Sequence, residues 1–147
     1  MIKTVFNELI IGYPSSKKIT LQIEEPIPCL LTDSVMIKQV ITNIISNSLK
    51  FTSNKDDAKI TAGYYYENDE NIFYIKDNGV GFDMKFSENL FKMFHRMHSV
   101  DEFEGSGIGL ALVKKIIMKL GGRVWITGEV GKGVCVYFTL KNDNILK

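Results

Sequence analysis

The stretch Lys59–Gly81, K-I-T-A-G-Y-Y-Y-E-N-D-E-N-I-F-Y-I-K-D-N-G-V-G, decides how this chain folds. Lys59–Tyr66 and Ile72–Lys76 are rich in β-branched and aromatic residues, as strands are. The polar run Glu67–Asn71 between them reads as a turn, so the two segments form a hairpin. The second strand ends at Asp77, directly before Asn78-Gly79 and Gly81.

Outward from the hairpin, helices alternate with strands. Upstream, Asp33 or Ser34 is placed to cap a helix whose buried face carries Val35, Ile37, Val40, Ile41, Ile44, Ile45, Ser48 and Leu49. Lys18–Glu24 alternates Ile19, Leu21 and Ile23 with polar residues, the period of a half-buried strand, and Cys29–Leu31 after Pro28 reads as a short strand. Met1–Ile11 reads as a short helix or the end of a longer one, with Ile2, Val5 and Leu9 on one face. Downstream, Gly79–Gly105 has no sustained period and outruns most connections in a compact domain, which marks a functional lid or a disordered segment. Ile108–Leu120 repeats Leu110, Val113, Ile116, Ile117 and Leu120 at helical spacing and stops at Gly121-Gly122. Val124–Thr127 and Val134–Leu140 are strands around a turn at Glu129–Gly133. The expected architecture is α/β of the α+β kind: a two-layer sandwich in which a mixed, mostly antiparallel sheet of about five strands carries three helices on one face.

At 147 residues, 45% hydrophobic and 24% charged, the chain fits a single globular domain, 1–147, with a sizeable core. The net charge of +1 gives no global field for nucleic acid or an anionic membrane, so an anionic ligand must be held locally. No apolar run is long enough to span a bilayer and no secretory leader is visible, which points to a cytoplasmic domain without membrane contact of its own. Cys29 and Cys135 lie far apart in apolar surroundings and read as two reduced core thiols.

Three constellations bear chemistry. Asn43 and Asn47 lie four apart and share a helix face. They are either solvated surface residues or amide-oxygen ligands for a hard cation such as Mg²⁺, and their position in a strongly apolar helix favours the second. Asp77 is either turn chemistry or an acceptor for an exocyclic amine such as that of adenine, with Gly79 and Gly81 making room for a flat ring. Guanine would be disfavoured, since it offers a carbonyl at the matching edge. Gly105, Gly107 and Gly109 precede or enter a helix and are either an incidental glycine run or an entrance whose free backbone N–H groups can face an anion. Neither a Walker loop nor a dinucleotide fingerprint is present, and no nucleophile–base arrangement is visible. His95 and His98 lack the further ligands a zinc site needs.

These segments, in this order from about Lys18 to Leu140, resemble the catalytic and ATP-binding domain of sensor histidine kinases, in the GHKL (HATPase_c) superfamily that also holds gyrase, Hsp90 and MutL. L-F-K-M-F-H-R-M-H-S and F-E-G-S-G-I-G-L-A-L-V-K-K-I are most similar to phytochrome-like kinases. The resemblance implies the Bergerat ATP-binding fold, with ATP and Mg²⁺ as cofactors. Q-V-I-T-N-I-I-S-N-S-L-K-F-T resembles the N box, implying Asn47 as Mg²⁺ ligand, Asn43 and Lys50 near the phosphates and Phe51 beside the nucleotide. D-N-G-V-G-F resembles the first glycine box, implying Asp77 as the adenine-amine acceptor with Gly79 and Gly81 around the base. Phe91, Phe94 and Arg96 match the F box of an ATP lid over residues 82–106, where the family's arginine approaches the terminal phosphate. Gly105, Ser106, Gly107, Ile108, Gly109 and Leu110 match the second glycine box, implying backbone contacts to phosphates. In the last box Val134 and Cys135 stand where Ser or Thr is usual.

Two absences shape the expected mechanism. The gyrase-like branch carries a glutamate one turn before the metal-binding asparagine to activate water, and here that position is Asn43, so efficient hydrolysis is not expected. The family's phosphate-accepting histidine sits in an H-E-x-x-[TN]-P type motif on an upstream dimerisation domain, and neither His95 nor His98 has that context. The resemblance therefore implies a domain that transfers the ATP γ-phosphoryl group to a histidine on a separate dimerisation domain of the same parent protein, with residues 1–13 as the linking helix and a response regulator downstream. The alternatives are a nucleotide-binding regulatory module without turnover, and a stand-alone serine kinase of the anti-sigma type.

Overall fold

The computed structural model describes residues 1–14, 17–92 and 109–145 of the chain. Among these, three α-helices and five strands follow the order α1 (Ile2–Ile10), β1 (Lys18–Ile23), α2 (Ser34–Phe51), β2 (Asp57–Glu67), β3 (Glu70–Asp77), α3 (Gly109–Lys119), β4 (Val124–Glu129) and β5 (Gly133–Leu140). A 3₁₀ segment, Met84–Phe91, follows β3.

The strands form one mixed sheet of order β1-β2-β3-β5-β4. Strand β1 runs parallel to β2, Leu21 opposite Ile60, and a parallel pair needs a crossover, which α2 supplies. The other pairings are antiparallel, with Phe73 opposite both Tyr64 and Phe138 and Ile126 opposite Val136. The expected mixed, mostly antiparallel sandwich is thus the observed one.

Asp33 starts α2 by accepting the Val35 and Met36 amides at 2.9 and 3.0 Å. From there Ile37, Val40, Ile41, Ile44, Ile45 and Leu49 face the sheet, and Ile44 and Ile45 are fully buried. Val113 and Ile117 of α3 join them against Ile60, Ile75, Val136 and Phe138, while Val5 and Phe6 of α1 extend the same core. Fully burying side chains of this size stabilises by roughly 1.5–3 kcal/mol each, so one contiguous core fixes how α2 and α3 lie on the sheet. The opposite sheet face carries a row of rings, Tyr74, Tyr137 and Trp125, with Trp125 stacked on Tyr137 at 5.2 Å. Arg123 covers the outer end of the row, 4.1 Å above the Trp125 ring, while pairing with Glu70 at 2.8 Å.

Several local expectations are corrected. The hairpin turn is not Glu67–Asn71 but the two residues Asn68 and Asp69, both at positive φ (51° and 63°), the conformation a tight two-residue hairpin needs and Asn and Asp tolerate. Cys29–Leu31 is not a strand but contributes one bridge, Leu30 to Ile145. Cys29 is exposed and only Cys135 is buried, because the chain around Cys29 runs outside the sandwich. Val35 is 76% exposed although Ile37 in the same turn is buried, because two positions along a helix turn a side chain to the opposite face.

Candidate functional site

Four chain segments converge at one end of the sandwich: the C-terminal half of α2, the end of β3 with the loop after it, the start of α3 and the start of β5. They enclose the inner end of a cleft of about 30 Å³, bordered by Asn47, Ser48, Phe51, Asp77, Leu110 and Val134.

Asp77 is the last residue of β3 and is 4% exposed. Its carboxylate accepts the Gly79 amide at 2.9 Å. Together with the nearby Ser48 side chain and Val134 backbone, this contact favours its charged form. Burial outweighs them and pushes the carboxyl up to about 6. A buried acceptor with its local donors already in place suits a neutral hydrogen-bond donor better than a metal.

The glycines after it are required by contact. A side chain on Gly79 would run into the Phe51 carbonyl, the same oxygen that receives the Val80 amide at 3.1 Å. Gly81 takes φ +68°, and a side chain there would strike the Glu129 carbonyl. The Gly131 amide reaches the Val80 carbonyl at 2.8 Å, so this loop is sewn to α2 on one side and to the β4–β5 turn on the other. Asn78 faces away from the cleft: its Oδ1 accepts the Lys59 amide and its Nδ2 donates to the Asp57 carbonyl, each at 2.9 Å. It therefore locks the loop to β2.

Asn43 and Asn47 stand one turn apart on α2, facing the start of α3. A Cβ on Gly109 would sit 3.9 Å from Asn47 Oδ1 and 4.0 Å from the Asn43 Cβ, so the glycine keeps the helix entrance low over both amides. Asn43 Oδ1 accepts Gln39 Nε2 at 3.4 Å, while its Nδ2 is buried without a partner among the described residues. No group of three or more His, Cys, Asp or Glu among the described residues is arranged to hold a metal. A hard cation here would use the Asn47 amide oxygen, with phosphate and water completing its shell, and that donor set fits Mg²⁺.

Lys50 and Phe51 close α2, and Phe51 borders the cleft with Leu110, the second residue of α3. Strand alternation turns Val134 into the cleft and Cys135 to the other sheet face beside Lys76, where burial pushes the thiol up to about 11. Of the two departures in the last glycine box, only Val134 borders the cleft. Phe82, within the expected lid, is buried in the core. Arg96, Gly105, Ser106, Gly107 and Ile108, together with Phe94, His95 and His98, lie outside the described residues. Sequence reasoning missed Ser48 as a site residue. Its signal was a hydroxyl on an otherwise apolar helix face.

A two-layer sandwich whose N-box helix, strand-end aspartate and glycine loop meet in one cleft defines a class of ATPase-type domains. The chain belongs to the family of histidine kinase-, DNA gyrase B- and HSP90-like ATPases, whose model matches residues 32–144. Within it, the chain is similar to sensor kinases. It is 39% identical over 116 residues to cyanobacterial phytochrome A of Nostoc sp., an alignment that covers 79% of this chain and 15% of that protein. It is 37% identical over 129 residues to the methanogenesis regulatory histidine kinase FilI of Methanothrix harundinacea, covering 88% and 14%. The chain thus spans about a seventh of the length of these relatives. The same fold is seen in the mycobacterial sensor histidine kinase MprB, with a TM-score of 0.74, 19% identity and coverage of 95% of this chain and 90% of that one. Full-length ShkA, solved with AMPPNP, superposes with a TM-score of 0.76 at 23% identity, over 99% of this chain and 30% of that one.

Proposed function

We propose that this chain is the ATP-binding catalytic domain of a sensor histidine kinase, and that it transfers the γ-phosphoryl group of ATP to a histidine on a separate dimerisation domain of its parent protein. The observation that carries this reading is the buried Asp77 carboxylate, held by Gly79 at 2.9 Å in the cleft that Asn47 also borders. Base acceptor and cation ligand then hold opposite ends of one nucleotide. The neighbour solved with AMPPNP supports nucleotide binding by this fold.

In this assignment Asp77 accepts the adenine amine, and Gly79 and Gly81 let the ring lie against backbone. Leu110 and Phe51 cover its apolar faces. Asn47 contributes an oxygen to Mg²⁺, which when bound neutralises phosphate charge. Asn43 and Lys50 lie toward the phosphates, with Gly109 and the rest of its glycine box supplying N–H donors. Arg96 is assigned to the terminal phosphate. The domain positions ATP rather than attacking it: the bond from the bridging oxygen to the γ-phosphorus breaks, the unprotonated nitrogen of the histidine forms the new P–N bond while its other ring nitrogen gives up a proton, and ADP leaves. An amide at Asn43 has no basic site to deprotonate water, so transfer is favoured over hydrolysis. A response regulator is the assigned next acceptor.

The test is to incubate the domain with γ-labelled Mg²⁺-ATP and the dimerisation domain of its parent protein. Acid-labile label on that partner is expected. ATP binding without any transfer would instead identify a nucleotide-binding module, and label on a serine of another protein would identify the anti-sigma type of kinase.

A further inference from the structure

The segment from Glu24 to Asp33 leaves the sheet after β1 and crosses outside the sandwich to the start of α2. It is tied down at both ends, by the Glu24 amide to the Ala62 carbonyl at 2.8 Å and by the Leu31 amide to the Asn144 carbonyl at 2.7 Å. Held there, it roofs a hollow of about 510 Å³ on the core side of the sheet, with α1 and the first half of α2 beside it. Protein interiors are close-packed and leave few voids larger than a water molecule, whereas ligand pockets run from about 300 to 1,000 Å³. Phe73, Ile75 and Phe138 of the sheet and Ile37 and Ile41 of α2 line its depth. A buried water needs two to four polar partners, and these side chains offer none, so an apolar body fills the hollow better than solvent.

The mouth is polar, and its uncommitted groups are donors. Lys3 on α1 makes no ion pair among the described residues, and the hydroxyls of Thr32 and Ser34 make no hydrogen bond among them. Glu25, the carboxylate on the rim, is turned to its own loop, where it accepts the Ile27 amide at 3.2 Å. One free ammonium and two free hydroxyls therefore face whatever enters.

We propose that this hollow is a second ligand site, separate from the nucleotide cleft, and that it takes a medium-chain aliphatic monocarboxylate. The hydrocarbon chain lies against the phenylalanines and isoleucines, and the carboxylate stays at the mouth with Lys3, Thr32 and Ser34. Burying an unpaired carboxylate is costly, so the ligand enters tail first. The hollow and the cleft share no lining residue, and α2 serves both, with Ile37 and Ile41 toward one and Asn47 toward the other.

The test reads alkylation of Cys29, an exposed thiol that lines the hollow. Cys135 is buried with its thiol pushed up to about 11, so it reacts slowly and leaves Cys29 as the reporter. The chain is treated with N-ethylmaleimide at pH 7.5 alone or with decanoate, octanoate, decanol or decylamine below micelle-forming concentrations, and calorimetry measures each affinity. Decanoate should slow alkylation saturably, by about fivefold once its concentration is about four times its Kd. Octanoate, two methylenes shorter, should bind about tenfold more weakly, and decanol and decylamine about threefold more weakly. Lys3→Gln, on the exposed side of α1, should erase the preference for decanoate over decanol while keeping the dependence on chain length. Ile27→Trp, which sends an indole into the hollow from a half-buried loop position, should abolish decanoate binding while thermal unfolding stays cooperative. Should that variant not fold, wild type and Lys3→Gln decide alone. Equal alkylation rates with and without decanoate overturn the site. Equal affinity for decanoate, decanol and decylamine overturns the carboxylate as its ligand, and competitive displacement of decanoate by Mg²⁺-ATP overturns its separation from the nucleotide cleft.

Discussion

The Asp77 carboxylate caps its own loop by accepting the Gly79 amide at 2.9 Å, and Gly79 is in turn pressed against the Phe51 carbonyl at the end of α2. One contact therefore ties the end of β3 to the end of the N-box helix. The loop after β3 is held on both sides, by hydrogen bonds to the end of α2 and to the β4–β5 turn. That hold is obtained with a buried charge, which has consequences for stability.

Replacing Asp77 by Asn should stabilise the nucleotide-free domain. Burial raises the Asp77 carboxyl from 3.8 to about 6, so the folded state binds this proton more tightly than the unfolded state. Above pH 6 the group is charged in both states and the folded protein bears the whole desolvation penalty, up to about 3 kcal/mol. As pH falls from 6 toward 4 the folded carboxyl protonates first and the penalty fades. Urea unfolding should show Asp77→Asn more stable than wild type at pH 8, with a much smaller gain near pH 4. Equal gains at both values would mean that charge burial is not the cause.

Asp77→Ala should abolish ATP binding at pH 7.5, because it removes the base acceptor and also frees the Gly79 amide. Calorimetry reads this directly. ATP affinity and base selectivity like those of wild type would remove Asp77 from the base subsite.

Much of this site was legible in the sequence because its parts are local. Asp77, Gly79 and Gly81 sit in five consecutive residues, and Asn43 and Asn47 share a helix face by spacing alone. The order of helices and hairpins also implied the mixed sandwich, since a parallel β1–β2 pair needs α2 between its strands. What could not be read depends on partners distant in the chain. Whether Asn78 binds a ligand or a strand is decided by the Lys59 amide, and Ser48 becomes a site residue only when α2 is laid over the end of β3. The exposure of Cys29 likewise follows from where the sandwich ends, which apolar neighbours in sequence do not reveal.

Asn47→Ala should leave the fold intact and uncouple ATP binding from Mg²⁺. The residue is half-buried beside the glycine entrance of α3, and truncating its amide removes the proposed oxygen ligand without touching the core stripe. In wild type, chelating Mg²⁺ should weaken ATP binding. In the variant, affinity with and without Mg²⁺ should converge on the weaker value. A variant that keeps the full Mg²⁺ dependence would place the cation on other ligands.

Two glycine substitutions should separate site from scaffold. In Gly79→Ala the new methyl meets the Phe51 carbonyl, which is backbone and cannot move without parting the loop from α2. The expected cost is roughly 2 kcal/mol or more in stability, together with a loss of ATP affinity above about tenfold. In Gly63→Ala the methyl instead meets the Tyr74 ring on the opposite sheet face. That half-exposed side chain can swing outward, giving up its hydrogen bond to Glu24 at a cost of about 1 kcal/mol. Because the sheet lies between Gly63 and the cleft, ATP affinity should stay within about twofold of wild type. Paired urea unfolding and calorimetry check both variants, and a Gly63→Ala protein that loses ATP binding while remaining folded would mean that the open sheet face is coupled to the site.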